Sequence, residues 1–240
     1  MKAVVFDLDN TLYDHRHSMC NALERARAAF PAGLGRFDVA TLAASYAEAL
    51  HRAYRRFMHG EISVDRMNEQ KLVEFFSRLG VAEGDRPAPE AFRQEYDAAY
   101  LADRRATQGS ADVVRRLRER GWKTIVLTDG RRAQQFEKLA AIGLFDLFDG
   151  IVTSEDVGSP KPARAMFERA LRAADCRAAE EAIMVGDDLA LDVEGAVLAG
   201  LQAAHYAPDA MQATVAVADR VLPVLKQMKE LLPLVGIEDA

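Results

Sequence analysis

Cysteine is scarce. The 240-residue chain has two, Cys20 and Cys176, far apart and in no disulfide or metal-binding spacing, which fits a reducing cytosol and excludes a disulfide-stapled scaffold. Long apolar runs are also missing: none approaches the roughly 18 residues of a membrane span. The start MKAVVFDLD has no basic segment ahead of a long apolar stretch, so no secretory leader is expected. Positive charge is not in excess either. Lys and Arg number 31 against 37 Asp and Glu, a formal net charge of −6, and no Lys/Arg-rich stretch stands apart from neighbouring acids, which argues against a nucleic-acid partner. An anionic ligand would therefore need a local positive site. There is no internal repeat or low-complexity tract. What remains is a chain that is 50% hydrophobic and 28% charged, able to bury a sizeable core and long enough for one large domain or a domain with a substantial insert. A cytoplasmic protein with no membrane or nucleic-acid partner, monomeric or homodimeric, is the expectation.

Residues 3 to 6, AVVF, read as a strand buried on both faces. From about 15 to 105 the texture turns helical: NALERARAAF, DVATLAASYAEALHRAYRRF, VDRMNEQKLVEFFSRL and PEAFRQEYDAAYL place apolar residues three and four apart. Breakers separate them at Pro31 to Gly33, at Gly60 and between Gly80 and Pro89. After Gly109 helices alternate with strands at 124–129, 149–154, 182–187 and 203–207, ending in a helix expected near LKQMKELLPLV. Alternation of this kind predicts a parallel, doubly wound sheet, an α/β class of Rossmann-like form. The first strand needs that sheet for partners, so the helical block between is read as an insertion.

In such a sheet ligands bind beyond the carboxyl ends of the strands. The first strand ends in Asp7 and Asp9, whose spacing puts both on one side if strand geometry persists. The second ends in Thr128-Asp129-Gly130, the loop after the third carries Lys161 between Pro160 and Pro162, and the fourth ends in Asp187-Asp188 with Asp192 one turn on. Each alone has an ordinary structural use, as a helix cap, a turn hydroxyl or a solvated charge. Four strand ends carrying polar groups at one edge do not. Two like charges about 4 Å apart repel by roughly 4 kcal/mol at an effective dielectric near 20, so Asp7, Asp9, Asp187 and Asp192 cannot converge ionised on Lys161 alone. An all-oxygen set without His or Cys suits a hard divalent ion, Mg²⁺ where substrate phosphate completes the shell. With a lysine, a hydroxyl and a helix N-terminus, the edge suits a phosphoryl group.

These motifs, in this order, resemble those of the haloacid dehalogenase superfamily, in its phosphatase branch with a helical cap inserted after the first motif. The matching residues are Asp7-Leu8-Asp9-Asn10-Thr11 for DxDxT, Thr128, Lys161-Pro162, and Gly186-Asp187-Asp188 to Asp192. The resemblance implies a catalytic core of residues 1–14 and 103–240 and a cap of 15–102. It implies Asp7 as nucleophile and Asp9 as general acid and then base. Thr128, Asp129, Gly130 and Lys161 would hold the phosphate, with Lys161 also pairing Asp7. Mg²⁺ would be held by Asp7, the main-chain carbonyl of Asp9 and Asp187, with Asp188 and Asp192 beside or behind them. The implied activity is hydrolysis of a small phosphorylated metabolite such as phosphoglycolate, a sugar phosphate or a nucleoside monophosphate.

One position departs from the family pattern. Asn usually follows the motif threonine, and here it is Asp129, either the cap of the helix carrying Arg131 and Arg132 or a negative charge beside the phosphate. Those arginines are expected to be solvated or to pair with Asp129 or substrate. Pro162 is expected to hold Lys161 extended and to open the next helix. The cap is expected to close over the sheet edge, with Tyr13 to His17 lining the way in; Tyr46, His51, Tyr54 and Arg55 are candidates for ligand contact or for core. A β-phosphoglucomutase-like phosphotransferase would share every core motif. A 2-haloacid dehalogenase would need neither metal nor Asp9, and a catalytically silent binding module would not need the full acid set.

Overall fold

The computed structural model describes residues 2–58 and 60–238. The chain divides into two compact units, one running through Asp14 and resuming at Arg105, the other His15–Arg104. Among the described residues no helix is long and apolar enough to cross a membrane.

The first unit is built on strands β1 (Ala3–Phe6), β2 (Lys123–Thr128), β3 (Gly150–Thr153), β4 (Ala182–Gly186), β5 (Gln202–Tyr206), β6 (Thr214–Val217) and β7 (Arg220–Leu225). They form one seven-stranded sheet in the order β3-β2-β1-β4-β5-β7-β6. All neighbours run parallel except the β6–β7 hairpin. β1 lies inside, with Val5 opposite both Ile125 and Met184, and all four of its side chains are buried. That two-sided burial is why AVVF shows no polar alternation.

The other unit holds α1 (His15–Ala29), α2 (Pro31–Leu34), α3 (Val39–Met58), α4 (Val64–Arg78) and α5 (Pro89–Ala102), the helical insert between β1 and β2. Its core gathers Leu23, Leu42, Tyr46, Phe75, Phe76 and Phe92. Tyr46 stacks on Tyr96 at 4.8 Å and meets Phe75 edge-on at 5.3 Å, so the α3 aromatic singled out in the sequence belongs to packing.

In the sheet unit follow α6 (Ser110–Glu119), α7 (Arg132–Ala141), α8 (Ser154–Val157), α9 (Arg164–Ala173), a π-helical turn at Leu189–Glu194, α10 (Gly195–Leu198) and α11 (Leu231–Leu234). Ala3, Val5, Ile125, Leu127 and Met184 pack on one face against Met166, Phe167 and Ala170 of α9 and Ala196 of α10. Val4, Phe6, Val126 and Val185 are equally buried on the other face, where α6 packs against β2 and α11.

Two expected helices take other forms. The C-terminal one shrinks to a 3₁₀ turn at Met228–Glu230 and the four-residue α11, behind β7, whose last residue Leu225 pairs with Tyr206. Val221, Leu222 and Val224 favour extended chain, and Pro233 is tolerated only in a helix's first turn. The helix expected over 189–200 begins as the π-turn, a widening of the helix often found where a side chain is redirected inward; Asp192 in this turn is 1% exposed.

Candidate active site

Because β1 to β4 are parallel, their carboxyl ends share one edge. Asp7 extends β1, its N–H donating to Val185 O at 2.9 Å, and the residue lies 5% exposed. Lys161 Nζ donates to Asp7 Oδ1 at 2.6 Å, to Asp192 Oδ1 at 2.7 Å and to the Leu127 carbonyl at 3.3 Å. The ammonium is thus fully spent within the site. Asp192 Oδ2 accepts from Asp188 N at 3.1 Å. Gly186 carries no side chain because a Cβ there would run into the Asp192 carboxylate.

Oxygens of Asp7, Asp187 and Asp192 lie within 4.8 Å of one another. Three carboxylates against one ammonium leave an excess of negative charge in a site with little water, and the titration of the group reflects it. Burial pushes the Asp7 carboxyl up to about 7, with Lys161 opposing and Asp192 adding to the rise. Burial and then the Asp7 charge push Asp187 up to about 7. Burial raises Asp192 to about 6 despite Lys161. Burial works against the Lys161 charge, but Asp192 and Asp7 outweigh it and hold its pKa well above the ordinary range. The cluster must take up protons or a cation, and an all-oxygen donor set selects a hard divalent one.

The remaining expected residues divide. Thr128 closes β2 opposite Thr153 of β3 and is 1% exposed. Asp129 does not cap α7; its Oδ1 accepts from the Lys161 backbone N–H at 3.0 Å, joining the threonine loop to the lysine loop. Burial, opposed by Lys161, raises its pKa. The Gly130 N–H is taken by Ser154 Oγ at 2.8 Å, and at φ 127° only glycine is at ease; a Cβ there would strike the Gln135 amide. Asp188 is spent on the π-turn, its Oδ1 accepting from Ala190 N and Leu191 N at 2.9 Å each, a cap that sequence reasoning also allowed. Lys161-Pro162 is a cis peptide, and α9 starts at Arg164 with Ala163 as its cap residue, so Pro162 does not open that helix.

Asp9 turns to a partner that sequence reasoning missed. Lys138 of α7 donates to Asp9 Oδ1 at 2.7 Å and Oδ2 at 2.6 Å and lies 5.6 Å from the centre of the Tyr13 ring. A lone lysine in a polar helix 129 positions away carries no sequence signal. Also missed were Gln135, whose Nε2 donates to Asp129 O at 3.1 Å, and His205, whose Nε2 lies 2.9 Å from Asp187 O. Asn10 holds φ 63°, which asparagine tolerates, and its side chain bonds Asp187, opposing the rise in that carboxyl's pKa. Arg132 pairs with Asp156 at 2.9 Å, not with Asp129. Within the helical unit His15 Nδ1 lies 2.7 Å from the Tyr100 hydroxyl and His17 Nε2 lies 2.8 Å from Asp103; within the sheet unit Asp14 pairs with Arg105 at 2.8 Å.

Comparison with known proteins follows the same lines. Residues 1–200 match the family model of the haloacid dehalogenase-like hydrolases. A ribulose-1,5-bisphosphate 5-phosphatase of Halopiger xanaduensis is 34% identical over 91% of this chain and 90% of its own length. A glyceraldehyde 3-phosphate phosphatase of Methanothermobacter thermautotrophicus is 30% identical over 85% of this chain and 84% of its own. The magnesium-bound structure of the HAD-hydrolase YfnB from Bacillus subtilis shares the fold at a TM-score of 0.75 and 22% identity, covering 98% of this chain and 99% of that one.

Proposed function

The chain belongs to the haloacid dehalogenase-like hydrolases, and from that premise we propose that it is a Mg²⁺-dependent phosphomonoesterase acting on a small sugar phosphate through a covalent aspartyl-phosphate at Asp7. The observation that carries the reading is the buried set of Asp7, Asp187 and Asp192 around Lys161, with a second carboxylate, Asp9, two residues from the first. The sugar-phosphate class is supported by the two relatives, which act on phosphorylated sugars of five and three carbons by their names.

Mg²⁺ fits the donor set, since Asp7 and Asp187 both need a positive neighbour to ionise fully near neutral pH. When bound it would neutralise charge on the phosphoryl oxygens and the carboxylates. Lys161 fixes one oxygen of Asp7 and so the rotation of the carboxylate. A carboxylate oxygen of Asp7 attacks phosphorus, the bond from phosphorus to the sugar oxygen breaks, and Asp9 gives its proton to the departing alkoxide. Water then gives a proton back to Asp9 and attacks phosphorus; the bond to Asp7 breaks and inorganic phosphate is released. Thr128 binds a phosphoryl oxygen, and Asp129 holds the lysine loop in place by accepting the Lys161 N–H.

Release of inorganic phosphate from a panel of three- to five-carbon sugar phosphates, nucleoside monophosphates and phosphoglycolate, with Mg²⁺ or chelator, tests the reading. Release from a sugar phosphate, lost on chelation and absent in Asp7→Asn, is expected. Turnover that persists in Asp7→Asn would refute the covalent route, and preference for a nucleotide would refute the substrate class.

A further inference from the structure

The contact between Lys138 and Asp9 is more enclosed than an ordinary surface ion pair. One ammonium touches both carboxylate oxygens, at 2.7 and 2.6 Å. The side chains are 16% and 31% exposed, whereas Arg66 and Glu69, an ordinary surface pair, are 63% and 61% exposed. An ammonium centred on both oxygens resists rotation of the carboxylate about its Cβ–Cγ bond.

The surroundings hold the lysine in turn. Tyr13, whose ring faces the ammonium, is fully buried, and its carbonyl accepts the Asn10 N–H at 2.7 Å. It also bridges back to Asp9, so ring and carboxylate belong to one small loop. On α7, Gln135 is 3% exposed and bonds the Asp129 carbonyl, and Leu139, next to Lys138, is fully buried. Both sides of the lysine are therefore tied down, one to the threonine loop and one to the core. A helix fixed in this way delivers the Lys138 side chain to a defined point.

We propose that Lys138 is a positioning residue for Asp9: it sets the orientation in which that carboxyl hands its proton to the leaving oxygen and later takes one from water. It touches neither substrate nor the reacting phosphorus, and acts only through Asp9. The inference rests on the phosphatase reading above. A proton donor must lie within hydrogen-bond reach of its target, and a displacement of about 1 Å can cost on the order of a hundredfold in rate.

Lys138→Met keeps the length of the side chain and removes the charge and the donors. On a sugar phosphate, whose alkoxide cannot leave without a proton, kcat is expected to fall by about ten- to a hundredfold, with KM changed less than about threefold. On p-nitrophenyl phosphate the leaving group departs without a proton, so the first turnover survives while hydrolysis of the aspartyl-phosphate slows. A burst of nitrophenolate near one equivalent per enzyme, absent from the wild type, is the expected signature. Lys138→Arg should restore sugar-phosphate turnover to within about threefold, since it can again reach both oxygens.

A kcat within twofold of wild type on the sugar phosphate would overturn the inference. So would equal slowing of the first turnover on both substrates, because a merely structural loss does not distinguish leaving groups. If Lys138→Met does not fold, as judged by circular dichroism, Lys138→Gln replaces it under the same criteria. Asp9→Asn run in parallel separates the two levels. If Asp9→Asn slows turnover and the Lys138 variants do not, this inference alone fails; if Asp9→Asn turns over like the wild type, the role of Asp9 fails and this inference with it.

Discussion

Removing the divalent cation should leave a protein that loses stability as pH rises, the reverse of an ordinary acid-labile fold. Asp7 and Asp187 titrate near 7 and Asp192 near 6 in the folded chain, against a reference of 3.8. Between about pH 4 and 7 the folded cluster therefore holds protons that the unfolded chain has lost, and stability falls with pH wherever the folded state binds more protons. The three carboxyls share one lysine and titrate together, so the working figure is one extra proton. One proton corresponds to about 1.4 kcal/mol per pH unit, or about 3 kcal/mol between pH 5 and pH 7. Carboxyls held below their ordinary range, such as Asp149 and Asp156 through their hydrogen bonds and cationic partners, contribute the opposite slope, but mainly near and below about pH 4. Urea unfolding at half-unit steps from pH 5 to 8, in chelator and in excess Mg²⁺, measures the effect. Trp122 is the single tryptophan and lies in the unit that carries the site, so its fluorescence reports on the relevant fold. In chelator the unfolding free energy should drop across the window. In Mg²⁺ the drop should shrink, because the cation takes the place of the proton, and Asp187→Asn should reduce it without metal. A chelated protein whose stability is flat or rises from pH 5 to 7, or one indifferent to Mg²⁺, would refute the charge argument for the site.

Three further outcomes are expected. Asp129→Asn keeps an oxygen for the Lys161 N–H and removes a negative charge near the phosphate loop, so steady-state kinetics should show KM lower by about three- to tenfold at nearly unchanged kcat. Gly186→Ala places a methyl against the Asp192 carboxylate and should cut phosphate release by about a hundredfold while circular dichroism shows a folded protein. Phe92, 1% exposed among Phe75, Phe76 and Tyr96, should cost about 3 to 5 kcal/mol when replaced by Ala, read by chemical denaturation.

The α/β class and the helical insert were legible because burial on both faces writes continuous apolar strands, and because the change from period 3.6 to alternating elements marks where the sheet resumes. The polar residues gathered around Asp7 could be picked out in the sequence because they fall at strand ends or in the loops and turns that follow them. What could not be read depended on contacts between distant positions. Strand order follows from packing, so the β6–β7 hairpin at the sheet edge went unread, and the chain after it was read as one helix because Met228, Leu231 and Leu232 are core residues at helical spacing. A helix cap was one of two expectations for Asp129 because capping is a local preference, whereas its actual partner is a backbone N–H 32 positions away. Lys138 and Gln135 lie in a polar helix, where nothing in the local pattern distinguishes a side chain aimed inward from one in water.

The place of β1 in the sheet has a consequence for biosynthesis. Ala3 pairs with Lys123 and Ala182, which emerge from the ribosome much later than β1 itself. The helical segment His15–Arg104 can meanwhile assemble from near neighbours. Until both strands are made, AVVF is an apolar strand with at least one open edge, the kind of segment that chaperones hold and that aggregates when left exposed. Asp7, next to it, is therefore made long before the residues that surround it in the folded chain.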